Sequence, residues 1–178
     1  MKYFIAVFLL LAFIYSPAYA ASEKVSLSAD DLKIVDAYIK SKERTSDIVG
    51  ESVSEFYKAR QYMIGDVNGD KVPDVIVMYT LEQGMNWNIY IAVFEKPSMR
   101  LLADGHVGGK GDRKANLNKV LSNGLIEVSV MLYAPEDAYC CPSLKGTSYY
   151  AVEKNVLIEK SSATDYTERT RPKDPSKQ

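Results

Sequence analysis

Apolar residues are spaced differently in successive stretches of this chain, and each spacing predicts an element. A continuous apolar run at residues 4–14 follows Lys2 and precedes Ala18-Tyr19-Ala20. That order is the one of a secretory signal with a small-residue cleavage site, and the run is shorter than the ~20 residues a helix needs to span a bilayer. Leu32, Val35 and Ile39 then recur at helical spacing, predicting a helix over 27–40 whose single apolar stripe docks on a sheet. Ser28 stands where an N-cap belongs, and Asp30 and Asp31 place negative charge in the first turn. Leu27 and Leu32 hold the positions of a hydrophobic staple. Residues 45–58 keep helical spacing at Val49, Val53 and Phe56, but Gly50 and several hydroxyl and β-branched residues weaken it. This stretch reads as a short helix or an irregular lead into a strand.

Beyond residue 60 the rhythm is that of strands. Residues 74–81 are β-branched and apolar, and Trp87, Ile89, Ile91 and Val93 alternate with Asn88, Tyr90, Ala92 and Phe94. Both faces of 87–95 are therefore largely apolar, as in a strand covered on both sides. A short strand follows at 99–103, and 117–121 and 125–133 form a hairpin around Ser122-Asn123-Gly124. Residues 146–152 and 156–159 make the last hairpin. Residues 106–113, which are rich in glycine and charge, read as a loop, and so do 134–144. Residues 161–178 hold almost no apolar side chains and read as a disordered tail. The expected organisation is a signal peptide at 1–20, one domain at 21–160 and a tail at 161–178. Its fold class is α+β: an antiparallel sheet of six or seven strands in hairpins, with the N-terminal helix packed on one face.

Charge narrows the range of partners. The chain carries 22 Lys and Arg against 23 Asp and Glu, a balance that gives no footprint for nucleic acid. With no second long apolar run, the sequence implies a secreted or periplasmic protein without a membrane span. Its partner, protein or carbohydrate, is unnamed by the sequence. Tyr79, Trp87, Tyr90, Tyr133, Tyr139, Tyr149 and Tyr150 fall on or beside strands, where aromatics either pack the core or line a recognition surface.

The densest chemistry lies between the first two long strands. Asp66, Asn68, Asp70 and Asp74 place oxygen-bearing side chains at positions 1, 3, 5 and 9 of one short loop, with the Val72 carbonyl at position 7. Carboxylates so close repel unless a cation lies between them, and hard oxygen donors in a flexible loop suit Ca²⁺. Lys71 and Val77 stand where an EF-hand needs Gly and Glu, and the flanks are strands. The run Gly65-Asp66-Val67-Asn68-Gly69-Asp70 through Asp74 resembles the calcium loops of FG-GAP and VCBS-type repeats, departing at Lys71, where those loops carry Gly. The resemblance covers this run alone and implies Ca²⁺ held in a turn between strands. A solvated acidic turn is the alternative, since Asn-Gly turns without metal.

Cys140 and Cys141 are the two cysteines. In an oxidising compartment they form a vicinal disulfide, pair with another chain, or stay reduced. For catalysis the sequence offers little. His106 is the sole histidine, with no Gly-x-Ser-x-Gly elbow beside it. A carboxylate pair drawn from Glu82, Glu95, Glu127 and Glu136 would make a hydrolase. The sequence therefore supports a non-catalytic calcium-binding domain first. An envelope inhibitor or accessory protein acting through loop 134–144, or such a hydrolase, stands as the alternative.

Overall fold

The structure is a computed structural model describing residues 27–42, 45–48, 51–54 and 56–164, with side chains at 27–42 and 61–161. The segment expected to be a signal peptide, and the tail from residue 165, lie outside the described residues. One helix, α1 (Ala29–Ser41), begins where the sequence places it. The Ser28 side chain accepts from the Asp31 backbone N–H while the Asp31 carboxylate accepts from the Ser28 N–H, a reciprocal capping box. Val35 and Ile39 are fully buried and Leu32 half-buried, so the predicted stripe is the packed face. No described helix is long and apolar enough to cross a membrane.

The rest is antiparallel sheet. A two-stranded hairpin, β1 (Thr45–Ile48) and β2 (Glu51–Ser54), occupies the stretch read as a helix or an irregular lead. Its β-branched and hydroxyl residues suit a pleated strand better than a helix. The large sheet has eight strands rather than six or seven, in sequential order: β3 (Phe56–Gly65), β4 (Asp74–Gln83), β5 (Asn86–Glu95), β6 (Arg100–Gly109), β7 (Arg113–Val120), β8 (Ile126–Leu132), β9 (Leu144–Glu153) and β10 (Val156–Thr164). The added strand is Phe56–Gly65, a full ten-residue strand where the sequence reads only a lead-in; Arg100–Gly109 lengthens the short strand expected at 99–103 into the segment read as a loop. The glycines there answer to close neighbours rather than to a turn. A Cβ on Gly105 would come 3.0 Å from the Leu157 Cβ, and one on Gly108 would come 2.6 Å from the Arg113 carbonyl oxygen. β10 likewise continues through Thr164, into the stretch expected to be tail.

The eight strands are two meanders, β3–β6 and β7–β10, joined at the register pair Gly109↔Arg113. They fold face to face. β10 lies against β6 at Gly105, and β7 lies against β3, where a Cβ on Gly65 would come 2.5 Å from Val120. Between them sits the main core, with Ile76, Met78, Ile89, Ile91, Val93, Val107, Ile126, Val128 and Tyr150 among its members. α1 covers the outer face of the first meander, where Val35 and Ile39 meet Val75, Val77, Tyr79, Ala92 and Phe94. The first meander is thus the middle of three layers. That explains why β4 is buried without a break from Asp74 to Leu81, and why β5 reads as apolar on both faces.

Candidate functional site

The acidic loop joins β3 to β4 and is drawn in by its own backbone. Asp66 accepts from the N–H groups of Gly69 (2.7 Å) and Lys71 (2.9 Å). Asn68 Oδ1 accepts from Asp70 N–H (2.9 Å), and Asp70 Oδ1 from Val72 N–H (2.7 Å). Gly69 and Lys71 both take positive φ, 82° and 69°, so Lys71 adopts the left-handed conformation for which glycine is the favoured residue. The five expected donors therefore belong to one bend, but their oxygens turn to backbone N–H groups. Among the described residues no three His, Cys, Asp or Glu side chains stand close enough together to hold a metal ion.

Asp74 differs from its neighbours. It is fully buried; Oδ2 accepts from the Val67 N–H (3.1 Å), and Oδ1 has no hydrogen-bond partner. Burial raises its carboxyl above the usual carboxylate range, and the negative charges of Asp70 and Asp66 push the same way. The backbone N–H groups of Val67 and Lys96 oppose the rise, although Lys96 N–H falls outside hydrogen-bonding geometry to Oδ1. The ammonium of that same Lys96 is committed elsewhere, donating to Asp31 at 2.6 Å. Asp31 accordingly sits below the carboxylate range. Val67, 7% exposed, anchors the loop in the main core, and a Cβ on Gly124 of the β7–β8 turn would come 3.1 Å from its carbonyl.

At the other end of β4 the two meanders leave a cavity of about 550 Å³. Its lining includes Thr80 and Glu82 of β4, Trp87 of β5, Lys110 of the β6–β7 turn and Ala115 of β7. Loop 134–144 adds Tyr139 and Cys140. The sulfurs of Cys140 and Cys141 are joined, with Cα atoms 3.8 Å apart. The loop is braced by Asp137, whose carboxylate accepts from the Ala134 and Ser143 N–H groups, and by Tyr133, whose hydroxyl donates to the Tyr139 carbonyl. The Thr80 hydroxyl is buried and without a partner. The sequence carried one sign of it, a hydroxyl residue interrupting the apolar run 75–81. Nothing in spacing marks Ala115 or Lys110, which a turn and a strand from elsewhere in the chain bring to the same place.

The remaining candidates scatter. His106 lies on β6, exposed, its ring edge-on to Tyr90 at 5.4 Å. Glu95 pairs with Arg100, and Glu127 with Lys119 and Asn118. Neither pairs with the other, and Glu82 and Glu136 lie on separate elements. Tyr38 and Tyr79 donate to Asp104 (2.7 and 2.9 Å), which also meets Lys42 at 2.8 Å. That network ties α1 to the sheet. No protein-family model, no curated protein and no solved structure matches this chain.

Proposed function

We propose that this is a secreted or periplasmic, non-catalytic domain in which Ca²⁺ bound at the acidic loop locks the β3–β4 turn. The observation that carries this reading is the unpartnered Asp74 Oδ1, fully buried at the base of a loop holding two further carboxylates. A buried charge is retained only with a counter-charge or a proton, and the ammonium of Lys96, whose backbone lies beside Asp74, is already paired with Asp31. To hold the ion, the side chains of Asp66, Asn68 and Asp70 would have to turn from the loop N–H groups they accept from and join Asp74 and the Val72 carbonyl, a donor set of hard oxygens. When bound, the ion supplies positive charge and fixes the turn. The chain's own contribution is to seat Val67 in the core and so set the register of the central hairpin. The apolar run at 4–14 with Ala18-Tyr19-Ala20 supports export.

The test is a thermal melt of the protein in Ca²⁺ and in chelator. A ligand at about a hundred times its Kd stabilises the state that binds it by about 2.7 kcal/mol, worth roughly 5–10 °C for a domain of this size. Equal melting temperatures in millimolar Ca²⁺ and in chelator would leave the loop as a turn held by its own hydrogen bonds.

A further inference from the structure

We propose that the open end of the sandwich, at the opposite end of β4 from the acidic loop, binds a neutral saccharide of one or two rings. This reading is independent of Ca²⁺ at the acidic loop.

The space is left by the choice of side chains. Alternate residues of β4 share the face turned to the second meander. Along that face Ile76 and Met78 are fully buried, Thr80 is 2% exposed, and Glu82 reaches solvent. On β7 the corresponding sequence is Leu117, then buried Ala115. A closed end would continue with side chains the size of Ile or Leu, as the rest of the core does; Thr and Ala leave it hollow. A hollow end lined only by apolar groups would be a packing defect, but this one holds the Thr80 hydroxyl, buried and unpartnered. Such a group calls for a partner from within the cavity. The edge of β7 adds backbone groups. Arg113 pairs across that edge with Gly109, and Leu117 N–H donates across it to Gln61 Oε1 (2.6 Å). Strand alternation then turns the N–H and C=O of Ala115, midway between them, to the same edge.

The walls select the ligand. Trp87 and Tyr139 give aromatic surface, and Tyr139 and Met85 are exposed at 67% and 85%. Lys110, which donates to the Met85 carbonyl (2.8 Å) with its ammonium 6.0 Å from the Tyr139 ring centre, ties these two together. Glu82 and Lys114, of opposite sign, have no ion-pair partner among the described residues. A sugar ring has an apolar C–H face for the aromatics and hydroxyls around its edge that both donate and accept. Those hydroxyls can meet a carboxylate, an ammonium, the Thr80 hydroxyl and a strand edge at once. A purely apolar ligand would leave Thr80 and Glu82 unpaired, an anion would face Glu82, and a cation would face Lys110 and Lys114. The volume falls within the ~300–1,000 Å³ of small-molecule sites.

Trp87 is the chain's only tryptophan, so its emission reports on this cavity alone. The experiment titrates the full chain with cellobiose, maltose, xylobiose, mannobiose and N,N′-diacetylchitobiose, in Ca²⁺ and again in chelator, following Trp87 fluorescence. At least one should give a saturable change in both buffers. Tyr139→Ala and Glu82→Gln, at exposed positions, should keep the wild-type melting temperature and each weaken that binding about tenfold, the loss of one strong hydrogen bond or stacking contact. Saturation by none of the panel overturns the proposal, and so does unchanged affinity in both variants. Saturation by a tripeptide or a fatty acid in place of every sugar also overturns it. Loss of the Ca²⁺-dependent melt with sugar binding intact would sink only the calcium reading.

Discussion

At the Asp74 end of β4, a fully buried carboxylate oxygen faces a loop with two more carboxylates; at the Thr80 end, a buried hydroxyl faces a cavity. Both oxygens lack partners, and they lie about 20 Å apart along one strand at ~3.3 Å per residue. The ends differ in what would satisfy them. A hydroxyl is neutral and both donates and accepts, so water or a polyol suffices. A buried carboxylate needs positive charge, and its cost without one is far greater. A second buried acid shows the compensated case. Asp31, 8% exposed, has Lys96 at 2.6 Å and lies low on the pH scale, whereas Asp74, beside the backbone of the same lysine, lies high.

Neutralising these two acids should therefore move stability in opposite directions. Asp31→Asn removes a hydrogen bond to a charged partner and should cost about 1–3 kcal/mol at neutral pH. Asp74→Asn, melted in chelator, should hold or gain stability and abolish any response to Ca²⁺. The pH dependence sharpens the contrast. The folded-state value of Asp31 is depressed by Lys96, so its contribution is present above the unfolded carboxylate range and lost as pH falls through the depressed value. Urea titrations from pH 7 down to pH 2 should show that acid limb in the wild type and lose it in Asp31→Asn. Equal losses for both variants at neutral pH in chelator would show that Asp74 is already compensated.

A smaller effect is expected at the cavity. Thr80→Val keeps the shape and deletes the orphan hydroxyl, and should stabilise the protein by about 1 kcal/mol, read as a rise in the urea midpoint with unchanged slope. No rise would mean that water already satisfies the hydroxyl, placing that end nearer to open solvent than the loop end. The smallest effect belongs to the loop backbone. Lys71→Gly releases a left-handed lysine (φ 69°) but loosens the unfolded chain, for a net gain of about 0.5 kcal/mol. That gain should appear equally with and without Ca²⁺, as differential melting in the two buffers would show.

The helix, the central strand β5 and the β7–β8 hairpin were legible in sequence because their signals are local. The Ser28 cap, the Val35–Ile39 stripe, the two apolar faces of β5 and the Asn123-Gly124 turn each depend on residues within a few positions of one another. The segment around His106 was illegible because Gly105 makes room for Leu157, far along the chain on β10, and Gly108 for the Arg113 backbone across the β6–β7 turn, contacts that residue type alone does not announce. β1 and β2 failed for a related reason, since Val49, Val53 and Phe56 fit helical spacing until pairing partners decide otherwise.

The candidate sites divide in the same way. The amino-acid order by itself placed Asp66, Asn68, Asp70, Val72 and Asp74 in one bend and put Cys140 beside Cys141, because a turn and a peptide bond are short-range facts. Only the tertiary structure decided that Asp74 alone is buried without a counter-charge. It also decided that Lys96 is spent on Asp31, and that Thr80, Trp87, Ala115 and Tyr139 surround one cavity. Burial and enclosure are set by which layers face each other, and two folded meanders and a helix settle that at long range.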